Sequence, residues 1–252
     1  KVRGIVITHG HEDHLGALPF LFQRLSAPVY ATKLTAGFIQ DKFSDYGARA
    51  DLRVFDPERD QLKIGAFTID PFRVSHSVPD AVGLAITTPV GRVFHAPDYK
   101  FDWTPVDQKP FDIGKAARLA ADGVLALASD CLGSTSEGYT KSEAEIEKTI
   151  ELIIEEAPRR VFFTTISSNI SRMQQAIRAS TTLGRKVIFI GRSIETKAEI
   201  AKRLGYLHFA DHDVAVPQQA KKLPANKLTY IISGSYGQAG SALYKVAHGE
   251  HQ

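Results

Sequence analysis

The sequence of 252 residues predicts an α/β fold made of two regions that differ in pattern. In the first region, short apolar segments separated by turns are combined with two or three helices, which favours sheets with helices on their outer faces. In the second region, β-rich runs alternate with helical stretches, the order typical of a parallel sheet wound by right-handed crossovers. The pattern changes near Thr140. We therefore expect one domain over residues 1–140 and another over residues 141–252.

The elements of the first region follow from apolar spacing. Residues 2–8 predict a strand, and the segment after it predicts a helix because its apolar residues recur at helical spacing: Leu15, Leu18, Phe22 and Leu25. Further along, residues 82–87 and 92–96 predict two strands. The turn signal Pro89-Val90-Gly91 lies between them, so they are expected to form a hairpin.

The second region begins with a helix start signal. Thr140-Lys141-Ser142-Glu143 has the pattern of a capping box and predicts a long amphipathic helix that runs towards Ala157. Three β-rich runs and two helical stretches then alternate, with strands expected at residues 160–166, 186–190 and 227–232 and helices at residues 170–183 and 194–204.

Composition narrows the class of protein. The hydrophobic fraction of 43% is enough for a real core, and no apolar run approaches the roughly 18 to 20 residues that span a bilayer. The start of the chain lacks the apolar centre of a secretion signal, so we expect a cytoplasmic protein without a membrane partner. The net charge of +3 permits nucleic-acid binding without demanding it. The single cysteine, Cys131, excludes an intramolecular disulfide and a cysteine-rich zinc site, so any metal must bind to histidine and carboxylate side chains.

One short segment concentrates such ligands. Thr8-His9-Gly10-His11-Glu12-Asp13-His14 contains three of the chain's nine histidines within six positions, which makes an ordinary solvated loop a poor explanation. Side chains alternate along a strand, so His9 and His11 are expected on one face at its end. The turn would send Asp13 and His14 in another direction. The loop could thus serve two ions, and imidazole with carboxylate suits zinc or manganese.

Two other residues extend this pattern. His76 ends an apolar strand in Phe72-Arg73-Val74-Ser75-His76, and Asp98 follows the strand that contains Phe94. Alone, such a histidine is usually a satisfied polar residue and such an aspartate a turn former. Together with the first segment, they predict a site for two metal ions.

These residues also carry a family resemblance. The segment from His9 to His14 matches in full the HxHxDH signature of metallo-β-lactamase-fold hydrolases, and His76 and Asp98 match the next two metal-binding motifs. The fuller strings are similar to the ribonuclease J family of the β-CASP group: Ile7 to Pro19, Ser75 to Asp80, Asp98 to Asp102, Ser129-Asp130, and residues 164–169, 191–193 and 249–251. The resemblance implies an incomplete metallo-β-lactamase-like β-sandwich flanked by helices, with an inserted parallel β/α β-CASP domain that is mostly present.

The resemblance also implies roles. His9, His11 and His76 would hold one divalent ion, Asp13 and His14 the other, and Asp98 would bridge the two. The catalytic group would comprise Asp13, His14, Asp98 and Asp130, with Asp130 orienting a ligand near the ions. Zinc or manganese would be bound, with magnesium a further candidate. The implied activity is hydrolysis of RNA phosphodiester bonds in RNA decay and processing, as a 5′-to-3′ exonuclease and a candidate endonuclease, by a homo-oligomer.

In the second domain, the glycine-rich turn of Ser233-Gly234-Ser235 follows a strand and precedes a helix expected at residues 241–248. Backbone amides at such a turn can hold a phosphate, although most glycine turns only change the chain direction. The resemblance implies a pocket for the 5′-monophosphate of RNA here, with Ser167, Ser168 and Ser235 as its candidate lining. The chain departs from the family pattern at Tyr236-Gly237-Gln238-Ala239, where Gln-Gly-Glu-Pro is expected.

Parts of the family pattern are absent. The strands that precede the HxHxDH loop and the late histidine motifs are not in the sequence, so we expect an internal stretch of a longer protein. Activity of this stretch alone is left open, as are two other functions. One is a different hydrolase of the same fold, such as a tRNA 3′-processing nuclease or a thioesterase, although the β/α insertion after Asp130 argues against both. The other is a non-catalytic RNA-binding module.

Overall fold

The computed structural model describes residues 1–250 and divides the chain into two compact units, Lys1–Lys141 and Ser142–Gln252. The domain limits predicted from the sequence stay a prediction, because compactness alone does not define where an inserted domain begins.

The first unit contains two sheets. Strands β1 to β3 form a parallel sheet in the order β1-β2-β3, and strands β4 to β8 form a second sheet in sequence order, antiparallel except for the parallel pair β7-β8. The strands are β1 Ile5–Val6, β2 Val29–Ala31, β3 Leu52–Val54, β4 Leu62–Ile64, β5 Phe67–Arg73, β6 Val82–Thr88, β7 Gly91–Ala96 and β8 Ala126–Ser129. The helices are α1 Glu12–Leu15, α2 Leu18–Leu21, α3 Lys33–Asp45 and α4 Ile113–Ala120.

These elements stack as helix, sheet, sheet and helix. Alternation along β6 directs Val82 and Leu84 into the core between the two sheets, and Val6 and Tyr30 pack against that core from the first sheet. Ala85 faces the opposite side, in a cluster that α4 covers through Leu119. Helix α3 packs on β2 and β3. The predicted β-sandwich flanked by helices and the predicted hairpin, now β6 and β7, are confirmed.

The second unit is a parallel sheet with helices on both faces. Its strands, in the order β10-β11-β9, are β9 Val161–Thr164, β10 Lys186–Ile190 and β11 Leu228–Ile232. Its helices are α5 Glu143–Glu156, α6 Ile170–Thr182, α7 Arg192–Leu204, α8 Pro217–Ala220 and α9 Ala242–Ala247. Helices α5 and α6 pack against Val161 and Phe163 on one face. Helices α8 and α9 cover Ile188 and Ile232 on the other. The predicted β/α alternation is confirmed.

Three local predictions were wrong. The helix expected after the histidine loop is two short helices, α1 and α2, because Pro19 has no amide hydrogen to continue the ladder from α1. The strand expected over residues 2–8 is only the two residues of β1. Helix α5 is capped by Ser142, whose hydroxyl accepts from the amide of Ala144, and not by Thr140. The described residues contain no helix long and apolar enough to cross a membrane.

Candidate metal centre

The histidine loop leaves the end of β1 and is held by the backbone of neighbouring strands. The amide of Ile7 donates to the carbonyl of Tyr30 at 2.9 Å, and the amide of Val82 donates to the carbonyl of Thr8 at 3.0 Å. His9 is fully buried, and its Nδ1 lies 3.2 Å from the hydroxyl of Thr8. Its Nε2 is therefore the nitrogen left for another contact.

The remaining predicted ligands come from connections at the ends of other strands. His76 lies in the connection between β5 and β6, and Asp98 follows the carboxyl end of β7. Strands β7 and β8 are parallel, with Ala96 opposite Ser129, so Asp98 and Asp130 both follow strands that end at the same sheet edge. The fold thus brings side chains separated by up to 89 positions in sequence, from His9 to Asp98, to one place.

The side chains form two overlapping groups. In one group, single ligand atoms of His9, His11 and His76 all lie within 4.8 Å of one another, and the same holds for His9, His14 and Asp98 in the other. The two carboxylate oxygens of Asp98 face different histidines. Its Oδ1 lies 3.5 Å from Nε2 of His14, and its Oδ2 lies 3.7 Å from Nε2 of both His9 and His76. A carboxylate placed in this way can contact two ions at once.

The two other predicted catalytic carboxylates lie at the margin of these groups. Asp13 belongs to neither group; its side chain is 77% exposed, and its Oδ2 lies 3.5 Å from Nε2 of His14. Asp130 is exposed, and its Oδ1 accepts a hydrogen bond from the amide of Leu132 at 2.8 Å. The negative charges of Asp130 and Asp13 raise the pKa of His76, but burial and the charges of His11 and His14 outweigh them.

Burial favours the neutral state, which metal binding needs, in three of the histidines: His9, His11 and His76. Burial, reinforced by the charges of His14, His76 and His11, lowers the pKa of His9 to about 2. Burial, with the charges of His11 and His14, also lowers the pKa of His76 to about 3. Burial lowers the pKa of His11 as well. A neutral imidazole presents a lone pair, so each of these rings can bind a cation.

Two buried nitrogens supply a test of fit. Within residues 1–250, Nε2 of His9 and Nε2 of His76 have no hydrogen-bond partner, although both are shielded from solvent. A buried polar atom without a partner costs about 1–3 kcal/mol, and such groups in native proteins call for an ion or water. Because both nitrogens face the same cluster of imidazoles and Asp98, the donor set fits a divalent ion of the zinc or manganese type.

Sequence reasoning gave Ser77 no role. Its Oγ lies 2.7 Å from Nε2 of His11, so it orients that ring or competes for its lone pair. A serine beside a predicted ligand is a weak signal in a single sequence, because the contact joins residues 66 positions apart.

Other histidines lie outside the centre. His208 and His212 are exposed, and the ring of His95 hydrogen-bonds to the backbone of Ala128. His248 stacks on Tyr244 at the end of α9. His251, part of a string resembling the family, lies outside the described residues.

The candidate phosphate-binding serines are all in the second unit. Ser167 and Ser168 follow β9 and precede α6, and Ser235 follows β11. Strands β9 and β11 are paired and parallel, so all three serines follow the same edge of the sheet, the edge at which α/β proteins bind ligands. Ser168 is buried, Ser167 is half-buried and Ser235 is exposed.

Comparison with known proteins assigns each unit separately. Residues 1–113 match the family model of the beta-lactamase superfamily domain, and residues 158–252 match that of the ribonuclease J beta-CASP domain. Among curated proteins, ribonuclease J of Helicobacter pylori is 39% identical over 254 residues, and ribonuclease J of Thermus thermophilus is 40% identical over 260 residues. Ribonuclease J2 of Bacillus subtilis is 35% identical over 254 residues.

The matches cover the whole chain but only part of the relatives. Each of these three alignments includes 100% of this chain and 37%, 45% and 46% of the respective relative. The chain thus spans less than half the length of the curated relatives. Among solved structures, a protein of unknown function from Enterococcus faecalis superposes with a TM-score of 0.65 at 14% identity, covering 96% of this chain and 61% of the other. That likeness concerns the fold alone.

Proposed function

The chain belongs to the ribonuclease J family, and from that premise we propose that it supplies the metal-binding part of a ribonuclease that hydrolyses RNA phosphodiester bonds. The observation that carries the proposal is the pair of side-chain groups that share His9, with the two oxygens of Asp98 directed at different histidines. The separate match of residues 158–252 to the β-CASP domain favours RNA as the substrate over a thioester.

The residues divide naturally between two sites. His9, His11 and His76 would hold one ion, His14 and Asp13 the other, and Asp98 would bridge them. When bound, two such ions lower the pKa of a shared water and stabilise the negative charge that builds on phosphorus during in-line attack. Zinc and manganese both suit this donor set, with magnesium as a further candidate. Asp13 is exposed, but its Oδ2 lies 3.5 Å from Nε2 of His14, which supports assigning these two residues to the same ion.

Asp130 would act by orienting a ligand. It follows β8 beside the segment that carries Asp98, and its charge favours the protonated form of His76. A carboxylate that does not coordinate the ions can still orient their ligands, and groups of this kind change metal affinity or activity when they are removed.

The second unit would select the end of the RNA. Ser167, Ser168 and Ser235 follow one sheet edge, and hydroxyl groups with backbone amides at such an edge can bind a terminal phosphate. We therefore propose a preference for 5′-monophosphorylated RNA and 5′-to-3′ exonuclease action, with endonuclease action as a further activity. Action in the cytoplasm and assembly as a homo-oligomer stay predictions.

The test compares substrates and metals in the complete protein. Metal-stripped protein is loaded with Mn²⁺ or Zn²⁺ and incubated with RNAs that are identical except for a 5′-monophosphate or a 5′-hydroxyl. We expect metal-dependent cleavage, faster on the monophosphorylated RNA, and a loss of that preference in Ser168→Ala. A loaded protein that left both RNAs intact while hydrolysing a thioester would contradict the proposal.

A further inference from the structure

One face of helix α3 contacts two loops of the candidate metal centre: the loop from His9 to His14 and the loop that carries His76. Its contacts come from Leu34 and Thr35, from Phe38 and from Lys42, positions about four residues apart that share a helix face. The ring of Phe38 lies against Gly10, where an added Cβ would be only 2.6 Å away. Lys42 forms an ion pair with Glu12. Two of the three contacts thus hold the loop from His9 to His14.

The third contact belongs to Asp80, in the loop that carries His76. Asp80 Oδ2 accepts a hydrogen bond from the amide of Leu34 at 2.7 Å, and its Oδ1 accepts one from the hydroxyl of Thr35 at 3.3 Å. Thr32, the N-cap residue directly before α3, makes no capping hydrogen bond with its side chain. Asp80 therefore caps the helix from a distant part of the sequence, satisfying an amide that would otherwise lack a partner in the helix.

The backbone at Asp80 is unusual. Its φ is +65°, a left-handed conformation that residues other than glycine adopt at a cost. Strained backbone of this kind persists where the surroundings demand it and often marks functional sites. Here glycine would relieve the strain but would lose the carboxylate that caps α3.

The loop is fixed at both ends. The amide of Val74 donates to the carbonyl of Ala81 at 3.1 Å, and the amide of Lys100 donates to the carbonyl of Ser75 at 2.9 Å. These bonds leave residues 76–80 to be held by side chains, and two of them do so: Ser77 contacts His11, and Asp80 bonds to the start of α3.

From these contacts we propose that Asp80 is a positioning residue for metal binding: its bond to the start of α3 sets the loop of His76 against the same helix that holds the loop of His9 and His11. This proposal rests on the metal centre proposed above. Partners that orient metal ligands typically change metal affinity by 10- to 100-fold when removed.

The test measures the Kd for Mn²⁺ by calorimetry on metal-stripped protein, with Mn²⁺ as the probe. We expect Asp80→Gly to raise the Kd about 10- to 100-fold, although glycine accepts the backbone conformation without strain. Asp80→Asn keeps an oxygen that can accept from Leu34, so its Kd should stay within a few-fold of the wild-type value. Asp80→Gly is used in place of Asp80→Ala, because alanine at this positive φ would add strain to the loss of the carboxylate.

Asp112→Ala is the matched control. Asp112 caps α4 by accepting from the amide of Lys115 at 2.9 Å, so its loss removes a helix cap in the same unit. We expect Asp112→Ala to have a lower melting temperature than the wild-type protein and an unchanged Kd for Mn²⁺. A wild-type Kd in Asp80→Gly would overturn the proposal, as would an equal rise in Asp112→Ala. Absence of Mn²⁺ and Zn²⁺ binding by the wild-type protein would instead overturn the metal centre itself.

Discussion

Nε2 of His9 and Nε2 of His76 are both buried, and neither has a hydrogen-bond partner among the described residues. Burying a polar atom without a hydrogen-bond partner lowers the stability of the folded protein, and a bound ion would offset this loss. The single-residue consequences of this arrangement can be measured in two ways.

The first prediction concerns His76→Ala and Asp98→Ala. Each removes a predicted ligand, so we expect metal-dependent RNA cleavage to fall by on the order of 100-fold or more. The metal-free protein should keep or increase its melting temperature in His76→Ala, because an unpaired buried nitrogen is lost. The exposed His212→Ala is the control, and cleavage at the wild-type rate by His76→Ala would exclude it as a ligand.

The second prediction is a pH dependence of the metal-free protein. In the folded chain the pKa of His9 is about 2 and that of His76 is about 3, whereas the unfolded value of each is near 6.5. Between these values the unfolded chain binds more protons, so the free energy of unfolding falls as the pH drops below about 6.5. Urea denaturation from pH 7.5 to pH 4.5 measures this slope. The slope should be shallower in His76→Gln, which lacks one histidine with a lowered pKa. An identical slope would contradict the lowered pKa of His76 in the folded chain.

At the scale of elements, close packing decides which positions accept a side chain. Gly83 lies in β6 directly against the buried ring of Phe72, so no Cβ fits there without displacing the ring. At Gly114, in the exposed first turn of α4, an added Cβ would meet only side-chain atoms at ordinary distances, the flexible end of Arg118 at 3.4 Å and Oδ1 of Asp112 at 3.7 Å.

The third prediction compares the same substitution at these two glycines. Gly83→Ala should lower the free energy of unfolding by about 1–3 kcal/mol through overpacking. Gly114→Ala should raise it by about 0.5–1 kcal/mol, because alanine restricts the unfolded chain and favours a helix. Urea denaturation of both variants measures the difference, and effects of the same sign would contradict the packing described.

The fourth prediction concerns Arg185 in the second unit. Its buried guanidinium donates to the carbonyls of Ile154 and Ala157 at the end of α5, and also to those of Arg159 and Leu228. Arg185→Met should cost about 2–3 kcal/mol of stability, since these carbonyls lose a charged donor in a buried place. The control is Arg203→Met on the exposed side of α7. Equal stability of the two variants would show that Arg185 is not needed as an anchor.

At the scale of the whole molecule, each unit has its own core, and the predicted ligands all lie in the first. A bound ion stabilises the unit that binds it by about 2.7 kcal/mol when its concentration is 100 times the Kd. Hydrogen exchange can report this at individual amides in both units at once.

The fifth prediction is that Mn²⁺ at this concentration slows exchange of the amides of Val82 and Lys100 by up to about 100-fold. Both donate to carbonyls in the segments that carry the predicted ligands. The amide of Ala215, which donates to Val187 in the second unit, should not change. Uniform slowing in both units, or no slowing in the first, would contradict a metal centre confined to these histidines.

The sequence by itself determined the class of fold and the ligand types, because apolar periodicity and local concentrations of histidine are properties of adjacent residues. The cluster from His9 to His14, the hairpin of β6 and β7 and the alternation of the second unit were all readable in this way. His76 and Asp98 were predicted as ligands from their places after apolar strands together with the first segment, and the resemblance then supplied their individual roles.

The tertiary structure decided how those residues meet. Three features depend on where the strands end in space. His9 belongs to both side-chain groups, the two oxygens of Asp98 lie near different histidines, and Asp13 lies outside both groups. The role of Asp80 also depends on the fold, since its bond to Leu34 crosses 46 positions and its positive φ has no signature in the sequence. Local patterns specify which chemistry a chain carries, whereas its geometry comes from long-range packing, which no short segment encodes.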